Sequence, residues 1–516
     1  MLFNSSVFLY AFLPISILGF YLLARHAGIA AAKLWLCIAS FVFYGWWNPA
    51  FLVLLAGSIA FNYTLSLFLR GTDKSAGRGQ TLLLAAGISA NVMLLGYFKY
   101  LFPFLIFLHE LGWLRVDAGS VILPLGISFF TFTQIGYLVD CRQGLVRQRG
   151  LLNYVLFVTF FPHLIAGPIL HNREIMPQFA DPETYRFKAE KLAAGLALFA
   201  FGLFKKVVIA DSVAPWANSG FLHTHGAPLE YAWSVALAYS MQLYFDFSGY
   251  ADMAIALGIM FGVKLPLNFN SPYKSASIID FWQRWHMTLT RYLTLLLYNP
   301  LAFWVARRRK AKGYSTGRDA VSTPAGFLSM IAFPTMVTIL IAGIWHGAGL
   351  QFVIFGALHG TYLCVNHAWR IAHPPDPAKQ PAALPAPMRL WRALWPVVLT
   401  YLAVLVAEVF FRAGSVGDAL ALLAGMAGAH GSELPAASPH LAFNLLFGLS
   451  VGLIAFFAPN VYQIMDRWSP ALTKVRSTLR GMLWQPNFRW ALIGGTLLFA
   501  ASLRFDQSAP FLYFQF

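Results

Sequence analysis

Asp280-Phe281-Trp282-Gln283-Arg284-Trp285-His286 opens, and Gly343-Ile344-Trp345-His346-Gly347 closes, the stretch around which this 516-residue chain is organised. Between them lies Arg307-Arg308-Arg309-Lys310, which reads as a cationic loop. Then comes an apolar run over residues 325–345 without one charged side chain. A run of that length matches the roughly 20 residues that a helix needs to cross a bilayer. Two histidines and a carboxylate therefore stand in or beside apolar spans. An ionisable group at membrane depth is costly unless it is buried in protein or paired, and by default it marks a functional site.

The same signal recurs outward in both directions. Apolar runs cover residues 5–24, 34–47, 50–69, 81–107, 121–139, 151–170, 190–210, 229–262, 350–366, 393–411, 441–459 and 488–503. The run at 229–262 holds Asp246, Ser248, Gly249 and Asp252, and reads as a broken or re-entrant helix sheltered by protein. Composition agrees: 58% of residues are hydrophobic and only 11% charged, against about 25% in soluble domains. Mean hydropathy is +0.62, more than a water-soluble core can hide. The expected fold class is an all-α polytopic membrane protein with about eleven to thirteen membrane helices.

The net charge of +17 does not point to nucleic acid. Its lysines and arginines fall largely in loops beside apolar runs, where basic charge sets topology and meets membrane lipids. Clusters at Arg70 to Arg78, Arg142 to Arg149, Arg307 to Arg318, Arg370 to Arg392 and Arg467 to Arg489 predict cytoplasmic loops. Met1 to Leu23 and Ala413 to Met465 contain no Lys or Arg and should face outward, with the C-terminal tail. The N-terminus has no basic region and no small-residue cleavage site, and reads as a retained first span. A proline-rich stretch at 368–396 reads as an extended cytoplasmic linker. It separates a core over 1–367 from C-terminal helices and tail over 397–516. No internal repeat is apparent, which weakens a paired-halves transporter. Cys37, Cys141 and Cys364 are scattered and form neither a disulfide framework nor a metal-ligand spacing, so no metal is expected.

His346 is the strongest candidate for chemistry. A neutral imidazole can act as general base on an attacking hydroxyl, because its pKa lies nearest working pH. Gly343, Gly347 and Gly349 allow backbones and a substrate to approach closely. The alternative is a histidine that only bonds a neighbouring helix. Asp280 and Arg284 are four apart, fall on one helical face and can pair. With His286 they either line a substrate path or, the simpler reading, belong to an interfacial amphipathic helix with Trp282 and Trp285 at headgroup level. Asp246 and Asp252 can relay protons, bind a cation or brace a broken helix. The segment Phe161-Pro162-His163 looks architectural, since proline breaks the helix there. The tail Phe511-Leu512-Tyr513-Phe514-Gln515-Phe516 is too aromatic to be solvated, and Tyr513 brings a hydroxyl.

Taken together, these motifs resemble membrane-bound O-acyltransferases, in the bacterial branch typified by the membrane component of alginate O-acetylation. The resemblance rests on Pro124 to Phe129, Phe161 to Pro168, Phe204-Lys205-Lys206, Tyr244 to Asp252, Asn268 to Tyr273, Asp280 to Leu289, Trp345-His346-Gly347 and Phe411-Arg412-Ala413, in this order. It implies a ring of helices, some re-entrant, around a central tunnel. It also implies His346 as the key histidine and His286 as the second; Asp280, Arg284 and Trp345 are the candidate donor-binding residues. The implied donor is cytoplasmic acetyl-CoA. The implied acceptor is Tyr513 in the extracytoplasmic tail. A periplasmic SGNH-type acetyltransferase would then act within an exopolysaccharide biosynthesis and secretion complex at the inner membrane. Where alginate-type proteins read Leu-Arg-Asp-Tyr, this chain has Leu293-Thr294-Leu295-Leu296, which leaves alginate, cellulose or a similar polymer open. A transporter without covalent chemistry, a scaffold that docks the periplasmic enzyme through the tail, and an O-acyltransferase acting on peptidoglycan, lipid or protein are the alternatives.

Overall fold

The computed structural model describes residues 1–69, 77–113, 122–374, 385–432, 439–477, 481–505, 509 and 511–512. Among them every regular element is helical. The helices are α1 (Phe8–His26), α2 (Ile29–Gly45), α3 (Ala50–Phe68), α4 (Arg78–Glu110), α5 (Ile127–Arg142), α6 (Leu151–Thr159), α7 (Asn172–Ala180), α8 (Ala189–Gly220) and α9 (Leu229–Met260). They continue as α10 (Ile278–Arg284), α11 (Met287–Leu293), α12 (Asn299–Ala311), α13 (Pro324–His346), α14 (Leu350–Ala372), α15 (Ala386–Arg412), α16 (Val416–Met426), α17 (Pro439–Phe457) and α18 (Phe488–Ser502). Six of them, α1, α3, α4, α8, α13 and α15, are long and apolar enough to cross a membrane. Ile29–Gly45, Val416–Met426, Leu446–Phe457 and Phe488–Ser502 are shorter apolar helices.

Prolines lie inside these helices, and the backbone shows how they are accommodated. A π turn at Phe8–Phe12, Tyr97–Leu101, Thr294–Tyr298 and Leu328–Ala332 ends two residues before Pro14, Pro103, Pro300 and Pro334, respectively. Proline lacks an N–H and its ring crowds the carbonyl four residues back. Widening the preceding turn relieves that clash and keeps the helix continuous in lipid.

Three local expectations change. The run at 229–262 is not broken: α9 is a continuous helix of 32 residues. Asp246 and Asp252 find lysine partners, buried Lys206 and part-buried Lys205, so no backbone break is needed to satisfy them. The cationic stretch is not a loop: Arg307 to Lys310 form the last turns of α12, where cations face the negative end of the helix dipole. Helices reach into both ends of the proline-rich stretch: α14 runs to Ala372 and α15 begins at Ala386. Pro387 sits in the first turn of α15, where a missing N–H costs nothing.

The chain divides into two units. One holds Met1–Asp211, Phe245–Leu267 and Asn460–Gln515; the other holds Ser212–Tyr244 and Asn268–Pro459. In the first, Phe3, Phe8, Phe43 and Phe161 form a ring cluster with centroids 5.1–6.2 Å apart, and the Met1 ammonium donates to the Phe43 carbonyl at 3.0 Å. α8 and α9 touch at Gly202 and Gly249, where a Cβ on either would lie 2.7 Å from the other's carbonyl oxygen. In the second unit α13 and α14 cross at Gly343 and Gly356. A Cβ on Gly343 would lie 2.4 Å from the Phe352 carbonyl oxygen.

Candidate active site

The crossing of α13 and α14 sets the position of His346. It is the last residue of α13, 5% exposed, with Gly347 leaving the helix in an extended conformation. Aromatic rings surround it: Trp345 at 4.8 Å, Phe411 at 5.0 Å and Phe355 at 5.9 Å between centroids. Phe355 lies on α14 and Phe411 on α15, so three helices wall this imidazole.

His286 is built by a turn. Helix α10 ends at Arg284 and α11 begins at Met287, leaving His286 between them with φ of 41°. Non-glycine residues rarely occupy that region, and those that do are held there by their surroundings. Here the hold comes from Asn268. Its Oδ1 accepts from His286 Nδ1 at 3.0 Å, from Thr288 Oγ1 at 2.9 Å and from the Thr288 amide at 3.3 Å. Asn268 also accepts the Met287 amide at its backbone carbonyl, at 2.9 Å. An acceptor on Nδ1 puts the ring proton there and the basic lone pair on Nε2. Burial pushes His286 down to about 3, so the ring is neutral at working pH.

The Asp280–Arg284 pair forms as the four-residue spacing predicts, at 2.8 Å. Ser277 caps the helix by accepting the Asp280 amide at 3.2 Å. Lys274 is near enough for the Arg284 charge to lower its pKa, after burial as the larger cause. Two cations and one carboxylate thus share this end of the unit. The interfacial reading of the segment is not what is found: Trp282 is 5% exposed and donates to His359 Nδ1 at 3.3 Å.

His359 is a residue that the sequence reading missed. It lies 1% exposed in α14, stacked on Phe281 and 4.7 Å from Phe355. A row of ring contacts then joins the sites: His286, Phe269, Trp285, Phe281, His359, Phe355, His346. Glu408 was missed too. It is 3% exposed and accepts from Tyr273 at 3.0 Å, in a cluster with Ser240 and Tyr401. The rule that flagged His346, an ionisable residue inside an apolar run, applies equally to His359 and Glu408. The apolar cavity of about 570 Å³ in this unit is lined by Trp216, Trp233, Tyr401 and Phe456 among others, and its lining includes neither His286 nor His346.

The first unit contains a second polar centre of a different kind. Lys206 bridges Asp211 at 2.6 Å and Asp246 at 2.7 Å, all three nearly inaccessible. Lys205 pairs with Asp252 at 2.6 Å, and Tyr462 donates to the same carboxylate at 2.8 Å. The Gly202–Gly249 contact brings these lysines and carboxylates together. Tyr513 lies outside the described residues.

Residues 128–318 match the MBOAT, membrane-bound O-acyltransferase family, a span that includes Asp280, Arg284 and His286. The chain is 41% identical over 461 residues to a peptidoglycan O-acetyltransferase of Helicobacter pylori, covering 84% of this chain and 81% of that protein. It is 35% identical to a probable alginate O-acetylase of Azotobacter vinelandii and 34% identical to one of Pseudomonas aeruginosa, over the whole of both chains in each case. The chain belongs to the membrane-bound O-acyltransferase family. It is therefore an acyltransferase and a multi-pass membrane protein, and acyl donors are its substrates.

Proposed function

We infer that this acyltransferase takes an acetyl group from acetyl-CoA at the cytoplasmic face and passes it outward for O-acetylation of an exopolysaccharide. The observation that carries the reading is end-to-end likeness, at 35% identity, to a probable alginate O-acetylase. A second reading, the same transfer onto peptidoglycan, is favoured by the 41% identity to a peptidoglycan O-acetyltransferase.

His346 acts as the general base. It takes the proton of the acceptor hydroxyl while that oxygen bonds to the acetyl carbonyl carbon. The carbon–sulfur bond then breaks, and the departing thiolate takes the proton from the imidazolium, leaving an O-acetyl ester and free CoA. The thioester is already activated, so a positioned base in a dry site suffices. Trp345, Phe355 and Phe411 enclose His346. Lys274 and Arg284 hold the carrier's phosphates, with Asp280 fixing the guanidinium; Trp345 packs at the thioester end. His286, locked by Asn268, presents Nε2 to the reacting group. In this reading the protein sits in the inner membrane with its C-terminus in the periplasm. Tyr513 is the first acceptor there, and an SGNH-type acetyltransferase moves the group to the polymer.

The test uses the purified full chain in lipid nanodiscs with acetyl-CoA labelled in the acetyl group. The expected result is release of CoA and a labelled acetyl ester on the peptide containing Tyr513. A protein that binds the donor but never carries covalent acetyl would be a transporter or scaffold, and the reading would fail.

A further inference from the structure

The buried ion cluster of the first unit does more than neutralise itself. Asp246 offers one carboxylate oxygen to Lys206, at 2.7 Å, and with the other accepts the backbone N–H of Leu512, at 2.9 Å. Leu512 is 266 positions away in sequence. Lys206 links Asp246 to Asp211, and the backbone of Ala509 lies against Asp211. Phe511 stacks on Tyr250 with centroids 4.6 Å apart and meets Phe247 edge-on at 5.6 Å. Phe511 and Leu512 are 1% and 3% exposed. So a backbone amide close to the chain end is held by an ionised acceptor, and the aromatic side chain beside it is held by two rings of the same helix.

This arrangement is unusual for a tail. A hydrogen bond to an ionised acceptor is roughly twice as strong as a neutral one. Both partners are buried, and in low dielectric such a bond is electrostatically stronger than in water. The cluster is rigid as well, since Lys206 is fixed from both sides and its helix is locked to α9 at Gly202 and Gly249. Docking there holds residues 511 and 512, directly before Tyr513 in the chain.

We propose that Asp246, braced by Lys206 and Asp211, is a clamp that seats the C-terminal end and acts as a positioning residue for the acceptor hydroxyl that follows. This rests on Tyr513 being the acyl acceptor. The gain is one of orientation: a held acceptor has less freedom left to lose on reacting than a loose one. The clamp therefore affects the transfer step and leaves donor binding alone.

The experiment compares the wild-type chain, Asp246→Ala, Leu512→Pro and Asp252→Asn, each full-length in nanodiscs. Leu512→Pro removes the donated N–H and exchanges the leucine side chain for a ring, and leaves the three charges in place. Asp252→Asn breaks the neighbouring ion pair without touching the tail. Hydrogen exchange of the C-terminal peptide is read by mass spectrometry, beside kcat and KM for acetyl transfer. In Asp246→Ala and Leu512→Pro the tail amides exchange about ten- to hundredfold faster, and kcat falls about tenfold or more with KM for acetyl-CoA unchanged. Asp252→Asn keeps the tail protected. Unchanged tail protection in Leu512→Pro, equal loosening in Asp252→Asn, or a loosened tail with full kcat overturns the proposal. A wild-type tail that never carries acetyl defeats the acceptor reading instead, and the exchange comparison still decides for or against the clamp.

Discussion

Both units bury polar side chains among apolar helices, but they do so by different means. Around His286, His346 and His359 the neighbours are aromatic rings and uncharged hydrogen-bond groups such as Asn268 and Trp282. Around Lys205 and Lys206 the neighbours are carboxylates, in ion pairs of 2.6–2.7 Å. The contrast fits the roles proposed for each region. A general base must be neutral and reachable by a substrate, so it is kept among groups that do not fix a charge on it. A brace has to stay put, and buried opposite charges with satisfied lone pairs resist displacement, since breaking one pair strands the other charge.

The comparison can be broken most sharply at Lys206. Lys206→Met leaves Asp211 and Asp246 facing each other without a cation, and stability should fall by about 3–5 kcal/mol. The triple variant Lys206→Met, Asp211→Asn, Asp246→Asn removes the whole charge set and should recover much of that loss. Thermal midpoints of detergent-purified protein measure both. A single variant as stable as wild type would mean that the pairs are not the brace.

A smaller effect sharpens the other side. His286 binds its proton near pH 6.5 when unfolded but only near pH 3 when folded. Between those values the unfolded state holds more protons, so stability is full above pH 6.5 and is lost as pH falls toward 3. From pH 7 to pH 5 that loss should be about 2 kcal/mol, and it should be absent in His286→Gln. Equal pH sensitivity in the two proteins would show that the imidazole is not held neutral by burial.

The sequence carried the fold class plainly, because long uncharged runs such as residues 325–345 have one physical solution in a bilayer. The Asp280–Arg284 pair was equally legible, since helical spacing alone places it. What remained hidden was pairing between helices. Asp246 and Asp252 looked like interruptions of a span because their partners, Lys206 and Lys205, lie some forty residues earlier and meet them only through the glycine contact of α8 and α9. The basic stretch at Arg307 looked like a loop because charge density was read without the helix end that tolerates it. Trp282 looked interfacial because its partner His359 is remote in the chain. His359 and Glu408 carry the same signal as His346, an ionisable side chain inside an apolar run, and are legible in the sequence on the same ground.

The account depends above all on His346 as a base. The direct measurement is the rate of CoA release from acetyl-CoA by His346→Gln in nanodiscs, beside wild type and with thermal midpoints recorded for both. A positioned general base contributes about a hundredfold or more, so the variant should lose at least that in kcat while remaining folded. A folded His346→Gln that releases CoA and transfers acetyl at the wild-type rate would contradict the mechanism.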